Sequence, residues 1–587
     1  MDLKGRDEGV TDANIVPASS DIEKSVPVNQ DSASEKSSDD EISKELQPGV
    51  QKAEATASVW SKSHLYTAYV FIWIIYFVDS MQQNVTGQLS PYVTSSFQYH
   101  SLTAATSIMS SIIGGLTTLP LSKILDIWGR PQGFILMVFT MTVGLIMMAA
   151  CQNVQTYAAA QVFYWVGYVG VGYCISIFIA DTSSLKSRGF AYAFVSSPYI
   201  ITVWIGGPIA ESILGGIGFR WGFGIFAIIT PVMCLPLFAL FTWNYSKAKK
   251  SGVLQLSSSG RTTLQSCIHY AIEFDLIGLL LIISGMSLFL LPFSLYSYQG
   301  EGWRSPMIIC MLVFGVVFLV LFGLHEKYTA KVTFIPFDLL TDRTVLGAYI
   351  LAGVLFIEFY IWNSYFTSFL QVVNGLNITQ TSYISNIYSI GSCFWSLIVG
   401  AAIRYTGRFK WIAVYFGVPI TILGVGLMIQ FRAPGVNIGY IIMCQIFIAF
   451  GGGALVICEQ IAAMAACPSH QTLAVVLAVE GMFSSIGGAI GSSVSTAIWT
   501  SVFPKQLGIH LPAEAQSNLT TIYESLIVQL SYAEGTPIRD AIIVSYGEAQ
   551  KLMLIAATAI LVLAIPSVIV WRNINVKEHK QVKGMVF

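Results

Sequence analysis

The chain repeats one pattern about fourteen times, an apolar run long enough to cross a bilayer followed by a polar connection. A helix of about 20 apolar residues spans the hydrocarbon core, and it satisfies its own backbone hydrogen bonds where water is absent. The composition agrees, because 54% of the residues are hydrophobic and 11% are charged, whereas a soluble protein carries about 25% charged residues. The sequence therefore predicts an all-α polytopic membrane protein.

The pattern of basic residues orients these spans. Only six of the 31 Lys and Arg residues fall on the side opposite the N-terminal tail, and basic residues collect on the cytosolic side of a membrane protein. Both termini are therefore predicted in the cytosol. The predicted spans are 66–88, 103–122, 133–151, 155–180, 190–213, 221–243, 275–295, 305–324, 345–367, 380–402, 410–431, 437–459, 472–498 and 551–571.

The first sixty residues contain no apolar segment and are rich in Ser, Asp, Glu and Lys. Such a composition cannot bury a core, so the segment 1–60 is predicted to be a disordered cytosolic tail. It also lacks the apolar centre of a cleaved signal peptide. The apolar run from Tyr66 is then expected to act as an uncleaved signal anchor.

Two short cytosolic turns share one pattern, a small residue, then Asp or Arg, then Gly-Arg. Glycine permits the positive φ of a tight turn, a small residue permits close approach of helices, and the charges can latch neighbouring helix ends. The first copy follows the second span and the other follows the tenth. The matching residues are Ser122, Asp126, Gly129 and Arg130 in the first copy, and Gly400, Arg404, Gly407 and Arg408 in the second.

On this pair of turns the chain resembles the major facilitator superfamily, whose members have such a motif after the second helix and a weaker copy in the second half. The resemblance implies two six-helix bundles, here with an extra helix pair inserted between them. The predicted organisation is a tail over 1–60, a first bundle over 61–243, a loop, the extra pair and an interfacial connector over 244–344, second-bundle helices over 345–502, an extracellular loop over 503–550, and a last helix with a cytosolic tail over 551–587.

The same repeat aligns two acidic residues inside predicted spans. Asp79 matches Glu358, and Asn84 matches Asn363 at the same spacing. Carboxyl groups at membrane depth are costly and usually functional, and repeat-built transporters bind substrate and coupling ions at mid-membrane. Asp79 and Glu358 are therefore the predicted proton-coupling residues; structural packing is the alternative.

Other polar and aromatic residues could complete a cavity between the bundles. Gln82 and Gln83 share a helical face with Asp79, and no Lys or Arg is predicted inside the membrane. This suits a neutral or weakly charged ligand. The candidate cavity aromatics are Tyr199, Trp204, Tyr360, Tyr365 and Tyr388.

Three more residues are candidates for an inner gate. A contact between Asp181 and Arg188 is expected to be structural, whereas Glu459 could belong to the gate itself. Glu459 and Glu480 both lie near predicted cytosolic helix ends, where a carboxylate is expected to be solvated at little cost in free energy. On the outer side, Asn518 begins a glycosylation sequon within the predicted extracellular loop.

The sequence argues against several other chemistries. The nine cysteines are scattered through the apolar runs without a metal-binding spacing, so neither a disulfide framework nor a protein metal site is predicted. No nucleophile is paired with a base, which excludes an enzyme. No basic patch suggests nucleic-acid binding.

Within the superfamily, the chain is similar to fungal siderophore–iron transporters. The similarity lies in IIYFVDSMQQNVTGQLSPYVTSSF, in ADTSSLKSRGFAYAFVSSPYI and in the long outer loop before the final helix. It implies uptake of a ferric hydroxamate chelate by proton symport, with iron carried inside the substrate and no resident cofactor. A functional monomer at the plasma membrane, or in endosomal vesicles, is expected.

The resemblance also implies roles for the first motif turn and for the outer loop. Asp126 and Arg130 would latch the inner face, and the loop 503–550 would cap the outer mouth. Three alternatives stay open: a drug:proton antiporter, an exchanger of glutathione-like peptides, and a siderophore receptor that does not transport. Glu211 stands where drug antiporters have a glycine, which weakens the first alternative.

Overall fold

Long helices account for nearly all of the fold, and the runs that the sequence marks as spans become these helices. The computed structural model describes residues 60–103, 106–250, 263–330, 341–466 and 470–578. The predicted disordered tail before residue 60, the basic loop at 251–262 and the core of the predicted connector, 331–340, lie outside the described residues.

The first half of the molecule contains six spans built from seven helices. Proline begins α6, where the first helical residue needs no backbone donor, so the fifth span is divided between α5 and α6. The helices are α1 Lys62–Ser96, α2 Thr106–Ile127, α3 Arg130–Ala150, α4 Val154–Thr182, α5 Leu185–Ser196, α6 Pro198–Gly215 and α7 Gly218–Lys250.

An inserted pair of spans follows, and then the second half. The inserted pair consists of α8 Thr263–Glu273, α9 Leu276–Leu290, α10 Pro292–Leu295 and α11 Pro306–Tyr328. The second half consists of α12 Arg343–Asn363, α13 Phe366–Asn374, α14 Ile378–Ser385, α15 Ile387–Thr406, α16 Lys410–Ile412, a π turn Ala413–Gly417, α17 Val418–Phe431, α18 Ile438–Ala465, α19 His470–His510, α20 Leu519–Glu524, α21 Leu526–Ser531, α22 Pro537–Ile560 and α23 Ala564–Ile569.

The helices long and apolar enough to cross a membrane match the predicted spans. In the described part of the chain there are 13 such helices, or 14 if the bent pair Leu264–Glu273 and Leu276–Leu290 forms one span. The predicted number of fourteen is met with this pair included, and the all-α fold class is confirmed. The chain is a multi-pass membrane protein.

The two halves repeat one packing scheme. In the first half α1 packs against α6 and α7, and in the second half α12 packs against α19 and α22. Likewise α3 packs on α4 and α7 as α17 packs on α18 and α22. This equivalence agrees with the internal repeat. The inserted helices α9 and α11 pack mainly on each other and contact the halves through α2 and α19.

The long loop is shorter than the sequence suggests. Helix α19 continues to His510 and α22 already begins at Pro537, so only 511–536 connects them. The stretch IRDAIIVSY, which lies within the predicted loop 503–550, is the beginning of the last span. Its apolar residues pack against the bundle there, which produces its amphipathic periodicity.

The bundle has two distinct ends. We call the end that carries both ends of the described chain the terminal face: Trp60 packs there on Phe241, and the amide of Val576 donates to the carbonyl of Gly407. We call the opposite end, which carries the connection 511–536, the loop face.

Candidate transport site

A cavity of about 310 Å³ lies between the two halves. Helices α1, α2, α4 and α6 contribute to its wall from the first half, and α12, α15 and the turn between α14 and α15 contribute from the second. Its polar lining consists of amides and hydroxyls, and every described residue that lines it is uncharged. The amide-bearing residues are Gln83, Asn84, Gln88, Gln161, Asn363 and Asn386.

The two asparagines related by the repeat both line this cavity. Asn84 on α1 also joins the halves, because its Oδ1 accepts hydrogen bonds from Ser382 at 3.0 Å and from Asn386 at 3.1 Å. Asn363 stands at the end of α12, on the opposite wall. The pattern that the sequence repeats is therefore built around one cavity.

The two predicted glutamines have different surroundings. Gln83 lines the cavity and accepts a hydrogen bond from the hydroxyl of Tyr199 at 2.9 Å. Gln82 is fully buried and accepts from Thr230 on α7 at 3.0 Å. Gln83 thus belongs to the site, whereas Gln82 braces α1 against α7.

The two predicted carboxyl groups lie behind the cavity wall. Asp79 is 7% exposed, and its Oδ1 has no hydrogen-bond partner among the described residues. Glu358 is 3% exposed and accepts from the indole N–H of Trp362 at 2.6 Å. Neither is among the residues that line the cavity.

Two tyrosines of the cavity wall interact electrostatically with these carboxyl groups. Tyr199, which lines the cavity, interacts electrostatically with Asp79. On the other wall, Tyr388 also lines the cavity and interacts electrostatically with Glu358. Each carboxyl group is therefore buried behind the cavity wall and interacts with one tyrosine of that wall.

Three of the five predicted aromatics line the cavity: Tyr199, Tyr360 and Tyr388. Trp204 does not, because it is 55% exposed on the outside of the bundle and packs on Tyr383. Tyr365 is fully buried and stacks on Trp499. The lining aromatics that sequence reasoning missed are Tyr164, Trp165 and Phe359.

Polar contacts close the cavity toward the loop face. Tyr92 donates to Gln371 at 2.5 Å, and Gln88 donates to Ser385 at 3.3 Å. Glu211, the residue that replaces the glycine of the drug antiporters, accepts from the amide of Thr379 at 3.2 Å and from its hydroxyl. Each contact joins the first half to the second, so Glu211 has a structural role at this closure.

The connection 511–536 reaches across this closed end. Glu524 accepts hydrogen bonds from the hydroxyls of Ser101 at 2.6 Å and of Tyr298 at 3.1 Å. Burial raises the pKa of the Glu524 carboxyl, and these hydrogen bonds oppose that effect. The amide of Leu526 donates to Ser95 at 3.2 Å. The connection therefore ties the end of α1 to the inserted pair.

The terminal face is closed as well. A Cβ built at Gly400 on α15 would lie 3.1 Å from the carbonyl of Gly189 on α5, so the two backbones touch. Thr118 on α2 donates to the carbonyl of Ala478 on α19 at 3.1 Å. The two halves therefore contact each other on the terminal side of the cavity as well as on the loop side.

The first motif turn is held by an ion pair. Gly129 adopts φ of 119°, as predicted for this turn. Arg130 pairs with Asp181, with Nε and Oδ2 3.3 Å apart. The side chain of Asp126 lies outside the described part, so its predicted share in a latch stays a prediction.

The predicted contact between Asp181 and Arg188 stays a prediction, while the structure gives further partners for both side chains. Asp181 forms its ion pair with Arg130, while the fully buried Arg188 donates to the carbonyls of Ala180 at 3.0 Å and Ser183 at 3.2 Å. Arg188 also approaches the sulfur of Met464 on α18 at 3.7 Å. It therefore fixes the α4–α5 turn against the second half.

The second motif turn is held by the C-terminal segment. Gly407 has φ of 76° and ends α15, as the motif predicts. Arg404 and Arg408 are exposed. The turn binds the chain after α23 instead, because Lys410 donates to the carbonyls of Ile569 at 2.7 Å and Trp571 at 2.6 Å. The two copies of the motif thus share a turn but not a latch.

Three buried charged groups have surroundings that the sequence did not indicate. Glu459 and Glu480, expected near solvated helix ends, are 2% and 5% exposed. Arg432, which directly follows the predicted span 410–431, is 2% exposed; its guanidinium lies 4.2 Å from the Phe366 ring centroid, and it donates to the Trp362 carbonyl at 2.9 Å. No local pattern marks these residues, because their burial depends on neighbouring helices.

The predicted sequon lies on an exposed surface. Asn518 is exposed at the start of α20 on the loop face. Among the residues that the structure describes, no group of three or more His, Cys, Asp or Glu side chains could hold a metal ion.

Comparisons with known proteins agree with this architecture. The model of the Major Facilitator Superfamily matches residues 72–301. A bacterial homologue of the human lysosomal transporter Spinster, solved in an inward-facing and occupied conformation, aligns over 87% of this chain and 97% of its own, with a TM-score of 0.51 and 13% identity. A peptide transporter POT in complex with sulfate aligns over 87% of this chain and 99% of its own, with a TM-score of 0.52 and 11% identity. The fold is that of a major facilitator transporter.

Curated relatives narrow the family. MFS siderochrome iron transporter 1 of Ajellomyces capsulatus is 64% identical over 93% of both chains. MFS siderochrome iron transporter D of Aspergillus fumigatus is 47% identical over 92% of this chain and 90% of its own. Siderophore iron transporter mirB of Emericella nidulans is 43% identical over 94% of this chain and 91% of its own. The chain belongs to the fungal siderophore–iron transporter family of the major facilitator superfamily.

Proposed function

We propose that this protein takes up a ferric siderophore of the hydroxamate type, driven by protons, through alternating access of the cavity to the two sides of the membrane. The observation that carries the proposal is the uncharged cavity between the halves, lined by amides, hydroxyls and aromatic rings. A hydroxamate chelate offsets the charge of the ferric ion with its own anionic oxygens. Such a ligand needs hydrogen-bond partners and apolar surfaces, but no cation to hold it.

The relatives support the same substrate class. Proteins up to 64% identical over almost the full length carry siderochrome or siderophore iron transport in their names. The iron travels as part of the substrate. The functional unit is then a monomer, because one chain contains both halves of the cavity.

The geometry supports a cycle with two gates. The loop face is assigned to the outside and the terminal face to the cytosol, as the basic residues indicate, and the plasma membrane is the proposed site. Contacts such as Asn84 with Ser382 separate when the outer side opens. The contact between Gly189 and Gly400 separates when the inner side opens. Proton binding at Asp79 or Glu358 couples the gradient to this exchange.

The other candidate functions fit the site less well. A glutathione-like peptide is anionic, and among the residues that the structure describes no charged side chain lines the cavity to receive it. A receptor that does not transport has no need of closures at both ends of the site. A drug antiporter of this size would be expected to keep the glycine that Glu211 replaces.

Uptake of isotopic iron tests the substrate class. Iron-starved fungal cells lacking their own siderophore transporters would express this chain and receive iron as a panel of ferric hydroxamates, with ferric citrate as the control. We expect uptake from at least one hydroxamate that an empty-vector strain does not show. Uptake from no chelate at equal surface expression would contradict the proposal.

Filling the cavity should block binding without harming the fold. Gly87 lines the cavity, and a Cβ built there has no atom within 4 Å. We expect Gly87→Phe to lower chelate uptake about tenfold or more, because the ring occupies the substrate's space. Gly87→Ala is the matched control and should keep uptake near the wild-type rate. Equal uptake by both variants would place the substrate elsewhere.

Glycosylation tests which face is outside. We expect Asn518 to carry a glycan, so endoglycosidase treatment should increase the gel mobility of the wild type but not of Asn518→Gln. Asn377, on the loop face, also begins a sequon, but the hydroxyl of Thr379 within it binds Glu211. Asn377→Gln is therefore the control and should keep the mobility shift. A shift that persists in Asn518→Gln and disappears in Asn377→Gln would place the glycan on Asn377 instead, whereas a wild type without any shift would contradict the assignment of the loop face to the outside.

A further inference from the structure

An arginine at the end of α17 is buried without an acidic partner. Arg432 directly follows α17 and is 2% exposed. Among the described residues, no carboxylate lies within ion-pair distance of its guanidinium, and its Nε and Nη2 atoms have no hydrogen-bond partner. Burial of an unpaired charge is costly, and an ionisable residue buried in a membrane protein usually has a function. The cycle described above does not use this arginine.

Aromatic rings of two helices surround the guanidinium. Its central carbon lies 4.2 Å from the ring centroid of Phe366, 4.9 Å from that of Phe369 and 6.0 Å from that of Trp362. At these distances the face of an aromatic ring attracts a cation. The rings therefore offset part of the cost of burial, and they hold the arginine where α12 ends and α13 begins.

The arginine also caps α12. Its Nη1 donates to the carbonyl of Trp362 at 2.9 Å, and α12 ends one residue later. The carbonyl groups in the last turn of a helix lack partners within that helix, and a cation there offsets the negative end of the helix dipole. Arg432 therefore holds Trp362 both by its backbone and by its ring.

Trp362 in turn holds the predicted coupling group. The Trp362 side chain is fully buried, and its indole N–H donates to Oε1 of Glu358 at 2.6 Å, one helical turn earlier on α12. A functional side chain keeps its geometry when packing and hydrogen bonds fix the residues around it. Arg432, Trp362 and Glu358 therefore form one chain of contacts, which we call the arginine–indole–carboxyl chain.

We propose that Arg432 is a positioning residue for proton coupling, because it holds the Trp362 indole against Glu358. The Glu358 carboxyl group then keeps the orientation in which it takes up and releases the coupling proton. This inference rests on the coupling role proposed above for Glu358. Arg432 is not among the residues that line the cavity, so it acts through Trp362 and not on the substrate.

Two substitutions interrupt the arginine–indole–carboxyl chain at different links. Trp362→Phe removes the indole N–H but keeps an aromatic ring beside Arg432, whereas Arg432→Met removes the donor and the charge at a similar length. We expect each to lower net uptake of a ferric hydroxamate about tenfold at equal surface expression. Exchange of preloaded for external chelate can proceed with the proton bound throughout, so it should stay within about twofold of the wild type.

A conservative variant and a matched control accompany these two. Arg432→Lys keeps a cation and a donor for the Trp362 carbonyl, so it should retain about half of the wild-type net uptake or more. Arg220, on α7 in the first half, also donates to a backbone carbonyl, that of Cys151 at 2.9 Å, and lies 5.0 Å from the ring centroid of Phe219. Arg220→Met should therefore keep net uptake within about twofold of the wild type.

The double variant tests whether Arg432 acts through Trp362. If it does, Trp362→Phe combined with Arg432→Met should transport within about twofold of the slower single variant, because the chain is already interrupted. Independent effects would instead multiply to a loss of about a hundredfold. That loss, or wild-type net uptake in both single variants, would overturn the positioning role. Loss of exchange together with net uptake would overturn it as well, because both residues would then be structural.

Two further results keep the inference separate from folding and from the proposed function. If Arg432→Met does not reach the cell surface, Trp362→Phe decides alone, and wild-type net uptake in that variant overturns the positioning role. Glu358→Gln is measured in parallel. Wild-type uptake in Glu358→Gln would sink the coupling role of Glu358 and the positioning role with it. Loss of uptake there, with wild-type uptake in Trp362→Phe, would overturn the positioning role alone.

Discussion

Glu358→Gln should reduce ferric hydroxamate uptake about tenfold or more at equal surface expression, and Asp79→Asn should do the same. Both carboxyl groups are buried, and each interacts electrostatically with a tyrosine of the cavity wall. The amides keep the shape of the side chains but cannot exchange a proton at physiological pH. The coupling is therefore lost while the cavity itself is preserved.

Two comparisons make this result specific to the buried acids. Glu514→Gln changes an exposed carboxylate on the loop face, and it should keep the wild-type rate. Binding of the ferric chelate to purified protein, followed by tryptophan fluorescence, should change little in Asp79→Asn, because the cavity lining is intact. Wild-type uptake in both amide variants would show that Asp79 and Glu358 are packing residues.

Gly400→Leu should abolish uptake by preventing closure of the terminal face. The Cβ of any side chain at Gly400 lies 3.1 Å from the backbone of Gly189, which cannot move aside as a flexible side chain could. Each half can still fold, since the contact is between the halves. The variant is expected to remain open toward the terminal face, so its cavity never becomes accessible from the outer side.

Accessibility of the cavity checks this prediction. A Ser389→Cys variant places a thiol in the cavity. A membrane-impermeant thiol reagent applied from the terminal face should label this thiol about tenfold faster in the Gly400→Leu protein than in the protein that keeps Gly400. Gly323→Leu, where a Cβ has no atom within 4 Å, is the matched control for uptake and labelling. Unchanged labelling with normal uptake would show that the closure at Gly400 does not control access.

The sequence predicted most of the fold, because each span satisfies its own backbone hydrogen bonds and can be recognised by its length and hydropathy. The repeat also paired Asn84 with Asn363, and both line one cavity, since two copies of one scaffold bring equivalent positions together. The boundaries of the spans were less predictable. The IRDAIIVSY stretch belongs to the last span, because amphipathic residues can continue a helix beyond the hydrocarbon core.

The depth and partners of individual side chains could not be predicted from the sequence. Trp204 is exposed on the outside of the bundle while Tyr164 lines the cavity, although both are aromatic residues within spans. Which side of a long apolar helix faces the partner half depends on packing that the nearly uniform hydropathy of these helices does not encode. The burial of Glu480 has the same origin, since it follows from contacts between α18, α19 and the first half.

The most direct measurement is uptake by purified protein in liposomes. The protein would be reconstituted with a pH indicator inside, and a ferric hydroxamate with isotopic iron would be added outside under an imposed inward proton gradient. The account predicts iron accumulation above the external concentration, accompanied by chelate-dependent acidification of the interior, and both should vanish with a protonophore. Accumulation of iron without acidification of the interior would contradict proton-driven uptake. Acidification of the interior accompanied by loss of iron from the liposomes would contradict it as well.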